Sequence, residues 1–155
     1  RPIIGPYNVN REGSGDMYSK GANILHTLRQ IAKDDEKWRF ILRGLNKEFY
    51  HQTVSSKQIE EYISENIGFD LKYVFDQYLR DIRVPVLEYF IKDGVLKYRW
   101  AETIDGFNMP IEITLDNENK WLYPENSWKE IALKQEFIEI DRDYYVFSKD
   151  LRIID

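Results

Sequence analysis

The hydrophobic period of this chain changes once, at Val84-Pro85, and that change does most to limit what the chain can become. Before it, apolar residues recur every three or four positions, the spacing that gives a helix one buried stripe. After it they alternate, the spacing that gives a strand one buried face. Pro85 also prevents helical continuation, because the residue before a proline is pushed out of helical backbone. The reading is therefore an α+β chain: an N-terminal array of about four α-helices over residues 1–84, then a small antiparallel β-sandwich of about seven strands over residues 85–155. No flexible linker separates the two parts, so they are expected to pack on each other.

The first helix is expected from Asp16 to about Lys33, with Asp16 as N-cap and Met17, Ile24, Leu28 and Ile31 as its apolar stripe. Gly21 and Ala22 sit between Met17 and Ile24, where small side chains permit another backbone to come close. Asp34 or Asp35 caps the second helix, whose stripe is Trp38, Ile41, Leu42, Leu45 and Phe49. Ser55 and Gln58 have capping-box spacing for a third helix carrying Ile59, Tyr62, Ile63 and Ile67, which Gly68 stops. Asp70 caps a short fourth helix with Leu71, Val74, Phe75, Tyr78 and Leu79 on one face.

Past Pro85, Leu87, Tyr89 and Ile91 alternate, and Asp93-Gly94 marks a tight hairpin turn into Leu96, Tyr98 and Trp100. The loop Gly106-Phe107-Asn108-Met109-Pro110 leads into Ile111, Ile113 and Leu115, followed by a turn over Asp116–Asn119. Further strands are expected around Trp121–Tyr123, Trp128–Leu133, Phe137–Ile140 and Tyr144–Phe147. The leading stretch Arg1 to Gly15 is rich in Pro, Gly and Asn, yet carries Ile3, Ile4, Tyr7 and Val9. Long structureless stretches of this kind are uncommon in compact domains, so it reads as a connection within a larger protein.

Composition removes several classes of chemistry. There is no cysteine, hence no disulfide, thiolate nucleophile or cysteine-based zinc site. The two histidines, His26 and His51, do not form a His-Glu-x-x-His pattern, so the sequence holds no catalytic zinc motif of that kind. A net charge of -5 without a Lys/Arg cluster argues against a nucleic-acid partner. No apolar run approaches the roughly 20 residues that span a bilayer, so no membrane partner is expected either. His26 reads as a helix-surface or core residue, and His51 as a helix-end residue able to bond the last carbonyls. Glu60-Glu61 and Asp34-Asp35-Glu36 read as solvated faces or caps, Ser14 and Ser19 have no candidate base beside them, and the tryptophans read as core filling. One residue stands out: Tyr18, in the first turn of the first helix, can donate a hydrogen bond to an anion where unpaired N–H groups and the positive helix end lie. With 11 tyrosines in the chain, a half-buried packing role is the simpler reading on residue type alone.

The run Asp16-Met17-Tyr18-Ser19-Lys20-Gly21-Ala22-Asn23-Ile24-Leu25-His26-Thr27-Leu28-Arg29 resembles the tyrosine segment of the M1 (gluzincin) family of zinc aminopeptidases. Phe49-Tyr50-His51-Gln52-Thr53-Val54, Phe75-Asp76-Gln77-Tyr78-Leu79, Val84-Pro85-Val86-Leu87 and Gly106-Phe107-Asn108-Met109-Pro110-Ile111 are similar, in order, to segments that follow in the same family, although Asp is more usual there than Asn108. The resemblance implies that residues 1–84 are the helical C-terminal part of an M1-like catalytic domain and residues 85–155 the β-sandwich domain after it. It implies Tyr18 as a catalytic residue that stabilises the oxyanion formed when a peptide's N-terminal bond is hydrolysed. It implies zinc as the cofactor of the full-length enzyme, with ligands outside this chain and none within it. The implied partners are peptide substrates and the rest of the same polypeptide upstream. Lys20 and Gly21 match motif positions but are assigned to helix structure, not chemistry. Two alternatives belong to other classes: a non-catalytic M1-like scaffold or peptide-binding module, and a carbohydrate-binding sandwich using Trp100, Trp121 or Trp128.

Overall fold

The computed structural model describes residues 2–5, 15–115, 118–134 and 137–152. Pro6, Tyr7, Val9, Gly13 and Ser14 of the leading stretch, and the Asp116-Asn117 half of the expected turn, lie outside the described residues. Four helices come first: α1 (Asp16–Ala32), α2 (Asp35–Glu48), α3 (Ser56–Ile67) and the short α4 (Lys72–Phe75), which runs into a π-helical turn over Asp76–Arg80. Seven strands follow: β1 (Val86–Lys92), β2 (Val95–Ala101), β3 (Ile111–Leu115), β4 (Glu118–Leu122), β5 (Lys129–Ala132), β6 (Ile138–Ile140) and β7 (Phe147–Asp150).

The local signals act much as their chemistry dictates. The Asp34 carboxylate accepts from the Glu36 and Lys37 N–H groups at the start of α2. Ser55 and Gln58 form a complete capping box on α3, and Gly68 closes that helix in left-handed backbone at φ 82°. Gly44 of α2 leaves the room into which the Tyr62 hydroxyl of α3 projects, so even an added methyl group would displace that side chain. The Asp93-Gly94 turn has both φ angles positive, at 52° and 73°, as a two-residue hairpin requires.

Three helical expectations need correction. The N-cap of α1 is Gly15, not Asp16: Gly15 already has helical dihedrals, so Asp16 falls inside the first turn. Met17 is 39% exposed, and the inward face of α1 is Lys20, Ile24, Thr27, Leu28 and Ile31. In α2 only Trp38 and Ile41 are buried, while Leu42 is turned toward solvent.

The strands form two sheets, one ordered β5-β2-β1-β7 and the other β4-β3-β6. The expected all-antiparallel arrangement fails at one place, because β7 runs parallel to β1, with Val86 opposite Phe147. The aromatic run Tyr144–Phe147 reads as a strand but is a bend: Tyr144 is buried, and the Tyr145 N–H donates to Thr27 Oγ1 of α1 at 2.9 Å. Pairing begins only at Phe147. The expected turn before β4 is also shorter, since Glu118 already pairs with Leu115 and Asn119 with Thr114.

Helices and sheets share one buried cluster, in which Ile24, Leu28, Leu71 and Val74 meet Leu87, Leu96, Trp100, Ile111 and Ile113. Polar bonds cross the same boundary. Gln77, fully buried, donates to the Arg83 carbonyl at 3.0 Å and accepts from the Ile104 N–H at 2.7 Å. The Tyr78 hydroxyl donates to the Tyr145 carbonyl at 2.7 Å, and Lys33 at the end of α1 pairs with the mostly buried Glu112 of β3. Between helix and strand, the Arg83 guanidinium and the Arg83 and Ile82 N–H groups hold the Asp81 carboxyl well below the usual carboxylate range, at about 2.

Two outcomes are expected. Gln77→Leu leaves the Ile104 N–H unpaired in the interior and should cost about 1–3 kcal/mol, read as a fall in the urea midpoint at constant slope. Asp81 stabilises the fold fully above the ordinary aspartate value, and that contribution is lost as pH falls toward about 2. The acid limb of a circular-dichroism titration should therefore flatten in Asp81→Asn; an unchanged limb would count against the Asp81–Arg83 pair.

Candidate functional site

The residue singled out by the sequence, Tyr18, lies in the first turn of α1, where its N–H donates to the Gly15 carbonyl at 3.2 Å. Its side chain is 74% exposed. That number decides against a packing role among the described residues. The phenol stands at the positive end of a 17-residue helix, free to reach an anion brought to it from outside.

The outer face of α1 continues from Tyr18 through Gly21, Ala22 and Leu25, one helical stripe. Ala22 and Leu25 are exposed, and a Cβ placed on Gly21 would meet nothing within 4 Å. The close approach that these small residues allow is thus not used by the described residues.

The inner side of the same turn is different. Lys20 is only 8% exposed, and its ammonium donates to the Asp81 carbonyl oxygen at 2.9 Å. Burial pushes the ammonium below the ordinary lysine value, opposed by attraction to Asp16 and Asp81. Asp81 is itself tied down: its carboxylate accepts from the Arg83 N–H at 2.8 Å and from Arg83 Nε at 3.0 Å, while Arg83 Nη1 donates to the Thr103 carbonyl at 3.1 Å. Sequence reasoning placed Lys20 in the helix scaffold and missed that it faces inward. The available signal was its position, one turn before Ile24 on the apolar stripe.

The remaining candidates are dispersed. His26, on α1, has Nε2 3.4 Å from an Asp143 oxygen and 3.4 Å from the Gln30 amide. His51 lies past α2 in left-handed backbone, its ring edge-on to Tyr50, and the last turn of α2 is bonded instead by the Gln52 amide to the Glu48 carbonyl at 2.8 Å. Glu60 is not a solvated residue: it takes both Arg80 nitrogens, at 2.7 and 3.3 Å, beside a 680 Å³ groove to which α1 contributes no lining residue. Trp100 is buried, with Nε1 donating to the Met109 carbonyl, and the exposed ring of Trp128 is stacked by Arg99 at 4.7 Å. Among the described residues, no three His, Cys, Asp or Glu side chains come together as a metal-binding set. No helix among the described residues is long and apolar enough to cross a membrane.

No family model matches the sequence, and neither does any curated protein. The fold does match a solved structure. Over 88% of its length the chain superposes on a crystal structure of aminopeptidase A from Legionella pneumophila in complex with aspartic acid, with a TM-score of 0.62 and 18% sequence identity. It spans 18% of that protein's length, so the likeness is one of fold, to a minor part of an aminopeptidase.

Proposed function

We propose that this chain is part of a zinc-dependent aminopeptidase of the M1 type, to which it contributes the oxyanion-stabilising tyrosine and scaffold but not the zinc ligands. The observation that carries this reading is the fold likeness to an aminopeptidase over 88% of the chain. The ordered run of M1-like segments and the exposure of Tyr18 at a helix start support it. In this reading the metal ligands lie in polypeptide outside this sequence, and the metal supplies electrophilic chemistry there.

What this chain does follows from its own residues. Peptide hydrolysis converts a neutral carbonyl oxygen into an oxyanion. A phenol held in place before reaction donates its hydrogen bond more strongly as that charge grows, which favours the transition state over the bound substrate. The first-turn location adds the favourable field of the α1 N-terminus. The remaining helices and the two sheets hold that turn in place. Alone, the chain is expected to be inactive.

In the full polypeptide, Tyr18→Phe should lower kcat roughly 10²- to 10³-fold, the usual cost of one lost oxyanion donor, with the metal content unchanged. Near-normal kcat in that variant would sink the oxyanion role, whereas a full polypeptide with no measurable aminopeptidase turnover would favour a non-catalytic scaffold or peptide-binding module. The isolated chain, dialysed against zinc and analysed by atomic absorption, should retain no stoichiometric metal and hydrolyse no aminoacyl p-nitroanilide.

A further inference from the structure

We propose that Lys20 is a positioning residue for Tyr18, fixing the first turn of α1 through its hydrogen bond to the Asp81 carbonyl. The inference rests on the oxyanion role proposed for Tyr18 and deepens it.

Within the first turn the N-cap, Gly15, has no side chain, the side chains of Met17, Tyr18 and Ser19 are exposed, and Asp16, also exposed, attracts the Lys20 ammonium. Lys20 is the first buried residue of the helix. Two residues along an α-helix turn the direction by roughly 200°, so Lys20 points inward when Tyr18 points outward. A bond on the inner side therefore sets the bearing of the phenol on the outer side.

The partner of that bond is rigid. Asp81 is 61 positions away in sequence, beyond the π-helical turn, and the Lys20–Asp81 bond is 2.9 Å long. The Arg83 side chain clamps the Asp81 carboxylate and reaches the Thr103 carbonyl, and Gln77 bonds the Arg83 carbonyl on one side and Ile104 on the other. Tyr18 is thereby referenced, through Lys20, to the point where helices and sheets join. Packing alone does not call for a lysine there. An apolar chain of similar length would fill the slot without desolvating an ammonium.

The test is a double-mutant cycle in the full polypeptide, with aminoacyl p-nitroanilides as substrates. Lys20→Met should lower kcat roughly ten- to a hundredfold, as small misplacements of a catalytic group do, with KM little changed and melting temperature equal or higher. Lys20→Arg, which restores a cationic donor, should recover most of the loss. In a Tyr18→Phe background, Lys20→Met should cause no further fall, because the group it positions is gone. If Lys20→Met does not fold, Lys20→Gln, whose shorter side chain does not span the distance to Asp81, takes its place in the cycle. A normal kcat in the lysine variant, or an equal loss in both backgrounds, would overturn the inference while leaving Tyr18's role standing. A Tyr18→Phe variant with normal kcat would overturn both.

Discussion

The buried amide of Gln77 is the interaction on which the rest of the arrangement depends. No part of Gln77 is exposed, so each polar atom of its side chain needs a partner inside the protein. It finds them on two different segments: the Arg83 carbonyl on the way into β1, and the Ile104 N–H on the loop after β2. The residue after it, Tyr78, is equally buried, and burial raises its phenol well above the ordinary value, keeping it a donor to the Tyr145 carbonyl. Adjacent inward-facing residues of this kind fit the widened π-helical turn in which both lie. One turn of backbone thus ties the end of the helices to three separate points of the strand half.

Much of this fold could be read from local chemistry. Asp34, the Ser55–Gln58 box, Gly68 and Asp93-Gly94 each act within a few residues of their position, and the sequence around them is enough to foresee their work. What the sequence concealed is non-local. Glu60 looks like any surface glutamate until Arg80, twenty positions on, turns out to lie against it. Tyr144 and Tyr145 have strand-like composition, but one is needed in the core and the other on α1 and Tyr78, and those demands bend the chain. The candidate site divides in the same way. The helix-start location of Tyr18 was legible from the signals around it, whereas the inward bond of Lys20 required knowing where residue 81 runs. No periodicity distinguishes Tyr18 from the other tyrosines; only resemblance did.

Helix α1 has two faces with different obligations. The inner one is committed along its length: Lys20 to Asp81, Ile24 and Leu28 to the core, Thr27 to Tyr145, and Lys33 at the far end to Glu112. The outer one, from Tyr18 through Ala22 to Leu25, is uncommitted among the described residues. In the proposed role of Tyr18, anchorage at both ends of the inner face would give the outer side chain a fixed bearing, the preorganisation that lets a single hydrogen-bond donor discriminate between a carbonyl and an oxyanion.

The parallel pairing of β7 beside β1 has a kinetic consequence. A hairpin such as β1–β2 can close in microseconds because its partners are neighbours in sequence. The other edge of β1 waits for Phe147–Asp150, which arrives only after five further strands have been laid down. Until then Val86 to Tyr89 present unpaired backbone groups, a template for another chain. Such late, long-range closure slows folding and prolongs the exposure of that edge. Truncation before Phe147 would leave most of the helical array untouched and turn β1 into a permanent open edge, so loss of the last strand would show first as self-association.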